Sequence, residues 1–125
     1  MASGTLIAES LRSGATLAGM PLAVGEISRI APGDLSPAQR AAGIPTLWTL
    51  LRFEIPDIHA ERLAQVLADS MHGFGWYADL HTASESFVVF AGRVFRYATG
   101  DVRARAAAEA YGRAHGVPDS QLDWP

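Results

Sequence analysis

The fold is decided by residues 76–100, WYADLHTASESFVVFAGRVFRYATG, which predict a meander of three short antiparallel strands. Residues 87–90 and 94–97 are rich in β-branched and aromatic side chains, which suit a pleated and half-buried surface. The Ala91-Gly92 pair between them predicts a two-residue turn, because glycine readily adopts the positive φ that such turns require. The bulky apolar residues of this stretch therefore supply the centre of a sheet.

Turn chemistry also predicts the register of the meander. With a turn at Ala91-Gly92, the opposed pairs are Phe90 with Arg93, Val89 with Val94, Val88 with Phe95 and Phe87 with Arg96. Ahead of this hairpin, residues 76–82 alternate along the chain and predict the first strand. Residues 83–85 are expected to form the turn that follows it.

The period of two along a strand sorts these side chains onto two faces. The predicted core face carries Trp76, Ala78, Leu80, Val88, Phe90 and Phe95. The opposite face is expected to hold an apolar strip with polar edges, made of Phe87, Val89 and Val94 with Tyr77, Asp79, His81 and Arg96. Such a half-apolar face is either covered by another layer or used as an interface.

The first half of the chain predicts two more strands and a long loop. Residues 5–13 carry apolar residues at helical spacing and predict a short helix, with a strand as the alternative for so short a run. Residues 21–30 predict a strand with a bulge near Gly25, and residues 47–55 predict another. Residues 31–46 hold three prolines and two glycines and predict a loop, which is either mobile or contains a helical turn at residues 36–42.

Two longer helices are predicted from capping residues and apolar spacing. Asp57 is expected to cap a helix that runs to residue 71 or 72, and Asp101 to cap an alanine-rich helix. Leu122 and Trp124 are apolar enough to dock the tail, residues 117–125, on the body. The element order α-β-β-α-β-β-β-α predicts a single α+β domain. We expect a two-layer sandwich of about five mostly antiparallel strands, with two or three helices gathered on one face.

Composition excludes several functional classes. Of 125 residues, 49% are hydrophobic and 18% charged, which is typical of a globular domain. The net charge of −3 argues against a nucleic-acid partner, because such partners need clustered basic residues. The absence of cysteine excludes disulfides and thiolate chemistry. No stretch approaches the ~20 apolar residues of a membrane span, and no signal-peptide pattern is present, so we expect a cytoplasmic protein without a membrane partner.

Parts of the chain resemble a family of small uncharacterised bacterial proteins. The resemblance rests on GWYADL, FVVFAGRVFRY, TGD and AYGRAHGVPDSQLDW, and it covers residues 47–125 best. It implies no activity, and no site residue follows from it.

Candidate chemistry is sparse in this sequence. The four histidines show no HxH or HxxxH spacing, and zinc needs three or four convergent ligands, so we predict no metal site and no cofactor. On the mixed face, Asp79 and His81 are candidates for acid–base work and Arg96 for holding an anionic ligand. An ordinary half-exposed sheet face with polar edges is the simpler interpretation, and no catalytic residue is predicted.

We therefore expect a non-enzymatic binding or interaction module that self-associates as a homodimer or contacts another protein. The candidate interface is the apolar strip Phe87, Val89 and Val94, with Trp48 beside it, because homodimers bury such strips isologously. The rival is a small-molecule-binding protein or cofactor-independent enzyme. Its pocket would use Trp48, Tyr77, Asp79, His81 and Arg96. A third hypothesis is an accessory or inhibitor protein that contacts its target through residues 31–46.

Overall fold

Six antiparallel strands form one open sheet in the computed structural model, which describes all 125 residues. The strands are β1 Ala2–Ile7, β2 Ala23–Ile30, β3 Trp48–Ile55, β4 Ala78–His81, β5 Glu85–Phe90 and β6 Arg93–Ala98. They lie in the order β2-β3-β1-β4-β5-β6, so β2 and β6 are the edges. The predicted α+β class and antiparallel sheet are confirmed.

Three helices accompany the sheet, and their ends follow from local chemistry. They are α1 Pro37–Ala41, α2 Ala60–Ser70 and α3 Val102–Ala114, with 3-10 turns at Ala8–Ser10, Asp57–His59 and Asp119–Gln121. A capping box between Ser36 and Gln39 starts α1, which lies within the predicted helical turn. Asp101 caps α3 as predicted, accepting a hydrogen bond from the backbone N–H of Ala104. The predicted cap at Asp57 is wrong, because a 3-10 turn without a side-chain cap precedes α2.

The β5–β6 hairpin has the predicted register in every pair. Phe90 lies opposite Arg93, and Phe87 lies opposite Arg96. Gly92 adopts a φ of 72°, which accounts for glycine at this position of the tight turn. The strand prediction here needed only neighbouring residues, because the turn and the β-branched flanks specify the same pairing.

The pairing of β4 with β5 differs from the prediction by one residue. The connecting turn has two residues, Ala83 and Ser84, and is closed by a hydrogen bond from the Thr82 N–H to the Glu85 carbonyl oxygen. Leu80 therefore lies opposite Phe87, and Asp79 opposite Val88. A one-residue offset moves a whole strand's side chains to the other face. The predicted grouping of Asp79 and His81 with Phe87, Val89, Val94 and Arg96 is wrong.

Helices cover both faces of the sheet instead of one. We call the surface that carries Phe87 and Val89 the α2 face, because both residues pack in one cluster with Leu63 and Leu67 of α2. The opposite surface, which carries Val88 and Phe90, is the α3 face. There Ala108 of α3 and the docked tail residues Leu122 and Trp124 pack on β5 and β6. Phe87 and Val89 are only 2% and 0% exposed, so the predicted apolar interface strip is part of the core.

The N-terminal segment is a strand and not the predicted helix. β1 lies between β3 and β4, where Leu6 is opposite Leu51 and Gly4 is opposite both Phe53 and Leu80. The apolar residues of this segment have helical spacing, which predicted a helix. Its two neighbouring strands come from distant parts of the chain, so the local sequence carried no sign of the pairing. Tertiary pairing outweighs so weak a local preference. β1 is therefore a central strand of the sheet, with β3 on one side and β4 on the other.

Candidate functional site

A cleft of about 890 Å³ lies on the half of the α3 face that α3 does not cover. Its floor is formed by β2, β3, β1 and β4, and its walls by the segment after β2 and by the C-terminal residues. The residues that define this cleft include Ser3, Thr5, Ile7, Glu26, Ile30, Asp34, Trp48, Leu50, Arg52, Glu54, Tyr77, Asp79, His81, Gln121 and Asp123. A volume of this size is in the range of small-molecule pockets.

Two rows of side chains cross the polar end of the floor. In the first, Ser3 lies between Glu54 on β3 and His81 on β4. In the second, Thr5 lies between Arg52 and Asp79. Neighbouring strands are about 4.8 Å apart, so each row places two charged or titratable groups about 10 Å apart across a small hydroxyl side chain.

The other end of the floor is apolar. Ile7 is paired with Leu50, two residues along β1 from Thr5, and Ile30 is paired with Trp48. Two residues along a strand are about 7 Å, so apolar and charged parts of the floor are separated by the length of a small organic molecule. The cleft is therefore amphipathic along the strand direction.

Asp79, His81 and Ser86 form a hydrogen-bonded chain. His81 Nε2 lies 2.7 Å from Asp79 Oδ2, and His81 Nδ1 lies 3.2 Å from Ser86 Oγ. A carboxylate only accepts, so Nε2 carries the proton that is donated to Asp79, and in the neutral ring Nδ1 then accepts from the Ser86 hydroxyl. The chain fixes the orientation of both the imidazole and the carboxylate.

Only one oxygen of Asp79 is used in this chain. Asp79 is 8% exposed, and no group of the protein donates to its Oδ1. No fully buried side-chain oxygen or nitrogen in the protein lacks a partner. Oδ1 is therefore open to the cleft, as an acceptor on an otherwise buried side chain.

Ser86 is not positioned as a nucleophile, although an Asp-His-Ser chain of hydrogen bonds is also found in serine hydrolases. The residue is 2% exposed, and it borders a separate pocket of about 130 Å³ beside Tyr97 and Arg105. A nucleophilic Oγ must reach a substrate carbonyl that also reaches oxyanion donors. The arrangement therefore orients His81 and does not present a reacting hydroxyl to the cleft.

Tyr77 joins the floor of the cleft to its C-terminal wall. Its hydroxyl lies 2.5 Å from the carbonyl oxygen of Gln121 and 3.0 Å from Asp123 Oδ1, and its ring packs edge-on against Trp124. Burial, together with the negative charges of Asp123 and Asp79, raises the pKa of Tyr77 well above its ordinary value. The hydroxyl is therefore a proton donor throughout the ordinary pH range.

Replacing Tyr77 with phenylalanine is expected to lower the free energy of unfolding by about 1 kcal/mol, because the ring stays and one hydrogen bond is lost. The raised pKa also predicts a pH effect. The protonated Tyr77 side chain contributes its full stabilisation of the folded protein below about pH 10, the pKa of tyrosine in the unfolded chain. This contribution is lost as the pH rises further, because the unfolded chain then ionises more readily than the folded protein. Urea unfolding between pH 7 and 11 checks both, since Tyr77→Phe should lose less stability at alkaline pH than the unchanged protein. Equal alkaline losses would contradict the assignment.

Hydrogen bonds also fix the second wall. Ser120 Oγ donates to Asp34 Oδ2 at 2.6 Å, and Gln121 bonds both Asp34 and Gln39 of α1. The segment 31–46 therefore contains a helix and uses these polar groups within the chain. Of the two predictions for this segment, the helical turn is confirmed by α1.

The structure brings together four of the eight predicted site residues. Trp48, Tyr77, Asp79 and His81 line the cleft. The other four, Phe87, Val89, Val94 and Arg96, lie on the α2 face. Arg96 forms a bidentate ion pair with Glu85 and lies 5.0 Å above the Phe87 ring, so it cannot hold an anion at this cleft.

The sequence missed most of the polar residues in the cleft, among them Thr5, Arg52 and Glu54. Arg52 and Glu54 carried a signal, because alternation along residues 47–55 placed them away from the core face. Thr5 carried none while its segment was predicted as a helix. Only the pairing of β1 with both β3 and β4 puts these residues beside Asp79.

The cleft is rich in carboxylates, but they do not converge. Its lining holds Glu26, Asp34, Glu54, Asp79 and Asp123. No group of three or more histidine, aspartate or glutamate side chains in the protein is arranged to hold a metal ion. None of the helices has the length and apolar character needed to cross a membrane.

Comparison with known proteins gave no match: no protein-family model, no curated protein sequence and no solved structure is similar to this chain.

Proposed function

We propose that this protein is a binding module whose ligand occupies the cleft on the uncovered half of the α3 face. The observation that carries the proposal is Asp79 Oδ1, an accessible acceptor without a partner in the protein, on a largely buried residue at the polar end of a walled depression of ligand size. Binding sites of this kind combine apolar lining with a few oriented polar groups. Here Leu50 and Ile7 supply the apolar part, and Asp79, held by His81, supplies the oriented group.

Binding fits the geometry better than catalysis. An enzyme of the Asp-His-Ser type would need Ser86 in the cleft, yet this residue is buried and borders another pocket. His81 uses both ring nitrogens in hydrogen bonds to Asp79 and Ser86. Because the Nδ1 partner is the buried Ser86 and the Nε2 partner is Asp79, neither ring nitrogen is free for a ligand in the cleft, and the ring serves to position Asp79.

Native mass spectrometry of gently purified protein, followed by a fragment screen observed in ¹⁵N-HSQC spectra, tests the proposal. We expect a bound small-molecule mass, or fragments that shift the amides of β1, β3 and β4. Thr5→Trp fills the floor of the cleft and should abolish both signals. Thr16→Trp, an equal enlargement at an exposed loop position, should leave them unchanged. The proposal is wrong when the screen produces no shifts in the cleft, or when Thr5→Trp binds as the unchanged protein does.

Self-association as a homodimer is the second candidate function, and the edge strand β2 favours it. β2 is eight residues long, has no partner on its outer side, and leaves Ile27 67% exposed. Unpaired strand edges are templates for pairing with another chain. The proposed contact is therefore this edge and not the buried strip around Phe87. The same native mass spectra would show self-association as a dimer mass, and a monomer at high protein concentration would contradict this candidate.

A cytoplasmic location remains a prediction from the sequence.

A further inference from the structure

We propose that the ligand of the cleft is a small organic cation, an amine or guanidine with an apolar body. Its charged group would bind at Asp79 Oδ1 and its body would lie on Leu50 and Ile7. This inference rests on the proposed function, since it names the chemical class that the cleft selects.

Charge is the first argument. Five carboxylates line the cleft, against one guanidinium and one imidazole. The guanidinium, on Arg52, lies 3.3 Å from Glu26 and is already paired, and the imidazole is already bonded to Asp79. A partly enclosed site with an excess of one charge concentrates ligands of the opposite charge. The raised pKa of the Tyr77 phenol, caused by burial and then by Asp123 and Asp79, is consistent with this negative potential.

The second argument is the hydrogen bonding of the Asp79 carboxylate. Asp79 is 8% exposed and is bonded within the protein through one oxygen only, so its second oxygen is a strong acceptor available to a ligand in the cleft. A protonated amine or guanidine offers both a donor and a positive charge to that oxygen, which makes the strong, charge-assisted type of hydrogen bond. A neutral donor offers only the first, and an anion offers neither.

Shape supplies the third argument. The apolar pair Ile7 and Leu50 begins about 7 Å along the strands from the row that contains Asp79. A cation with a ring or short alkyl body spans this distance. The Asp34–Ser120 and Tyr77–Gln121 hydrogen bonds hold the walls in place, and the volume of about 890 Å³ lies in the range of pockets that bind small molecules, so the occupant we propose is a free small molecule.

Titration of the full chain with three matched probes, followed in ¹⁵N-HSQC spectra, tests the inference. Benzylammonium, benzyl alcohol and benzoate share a ring and differ in charge. We expect benzylammonium to shift the amides of β1, β3 and β4 and to bind at least about tenfold more tightly than the other two, because a hydrogen bond to a charged group is worth that factor or more.

Matched charge removals locate the cation. Asp79→Asn should weaken benzylammonium binding about tenfold or more and leave benzyl alcohol binding unchanged. Glu54→Gln alters an exposed residue that does not contact the Asp79–His81–Ser86 chain, and it should weaken benzylammonium binding less than Asp79→Asn does. Glu61→Gln removes the same charge from an exposed position on α2, on the other side of the sheet, and should have no effect. Thermal unfolding of each variant confirms that the fold is retained.

The outcomes separate this inference from the proposed function. Benzyl alcohol or benzoate binding in the cleft as tightly as benzylammonium would overturn the cation and leave the binding module standing. If the blocked peptide acetyl-Gly-Lys-Gly-amide bound more tightly than benzylammonium, the cation would come from a peptide side chain, and the proposal of a free small molecule would be overturned. Absence of shifts in the cleft with all three probes and with the fragment screen would overturn both proposals.

Discussion

Replacing Phe87 with alanine is expected to lower the free energy of unfolding by about 4 kcal/mol, because a buried phenylalanine leaves a cavity that a well-packed core fills only in part. The side chain is 2% exposed and belongs to the cluster between the sheet and α2. The guanidinium of Arg96 lies above the Phe87 ring, with 5.0 Å between the guanidinium carbon and the ring centroid. Denaturant unfolding followed by circular dichroism measures the loss.

The control is Phe74→Ala, which removes the same atoms from a ring that is 40% exposed. Its expected cost is roughly 1 kcal/mol, because much of that surface is already in water. The comparison also tests the corrected face assignment. A Phe87→Ala protein that keeps its stability but changes its oligomeric state would mean that this ring belongs to an interface and not to the core.

Local chemistry was sufficient to predict those parts of the fold that neighbouring residues specify. The hairpin at Gly92 has its predicted register, and Asp101 caps its helix as predicted. The bulge near Gly25 is present as an irregularity between Val24 and Glu26. In each of these places, the residue that sets the geometry lies within a few positions of the residues it organises.

The largest error came from the length of one turn. Residues 83–85 were predicted as the turn, whereas the hydrogen bond between Thr82 and Glu85 closes a turn of two residues. Sequence patterns do not separate these two lengths when every residue involved is small or polar. Because side chains alternate along a strand, this difference of one residue puts Asp79 and Phe87 on opposite faces of the sheet, although they were predicted to share one face.

The candidate site was predictable only in part for a related reason. Asp79 and His81 are two residues apart on one strand, so the sequence alone places them on one face. Their neighbours in the cleft come from β1 and β3, and the position of β1 in the sheet centre depends on pairing with residues about 50 and 75 positions away along the chain. A local pattern carries no information on such pairing.

Gly4→Ala is expected to lower the free energy of unfolding by about 3 kcal/mol and to weaken any ligand binding in the cleft. A Cβ at this position would approach the backbone carbonyl oxygen of Asp79 and would lie 2.8 Å from both Leu80 and Phe53. Backbone cannot rotate out of the way as a flexible side chain can, so β4 has to move from β1. Circular dichroism in denaturant measures the first effect, and the benzylammonium titration the second.

The two effects are linked because Gly4 lies between the residues that build the polar rows. Ser3 and Thr5 flank it and are paired with His81 and Asp79 on β4, so a displaced β4 separates both rows. Gly33→Ala is the matched control, since a Cβ there meets no atom within 4 Å and its φ is outside the left-handed region. It should leave stability and binding nearly unchanged. If Gly4→Ala destabilised the protein but left binding at full strength, the rows across β1 and β4 would not be the ligand's contact, and the cleft assignment would fail even though the fold is right.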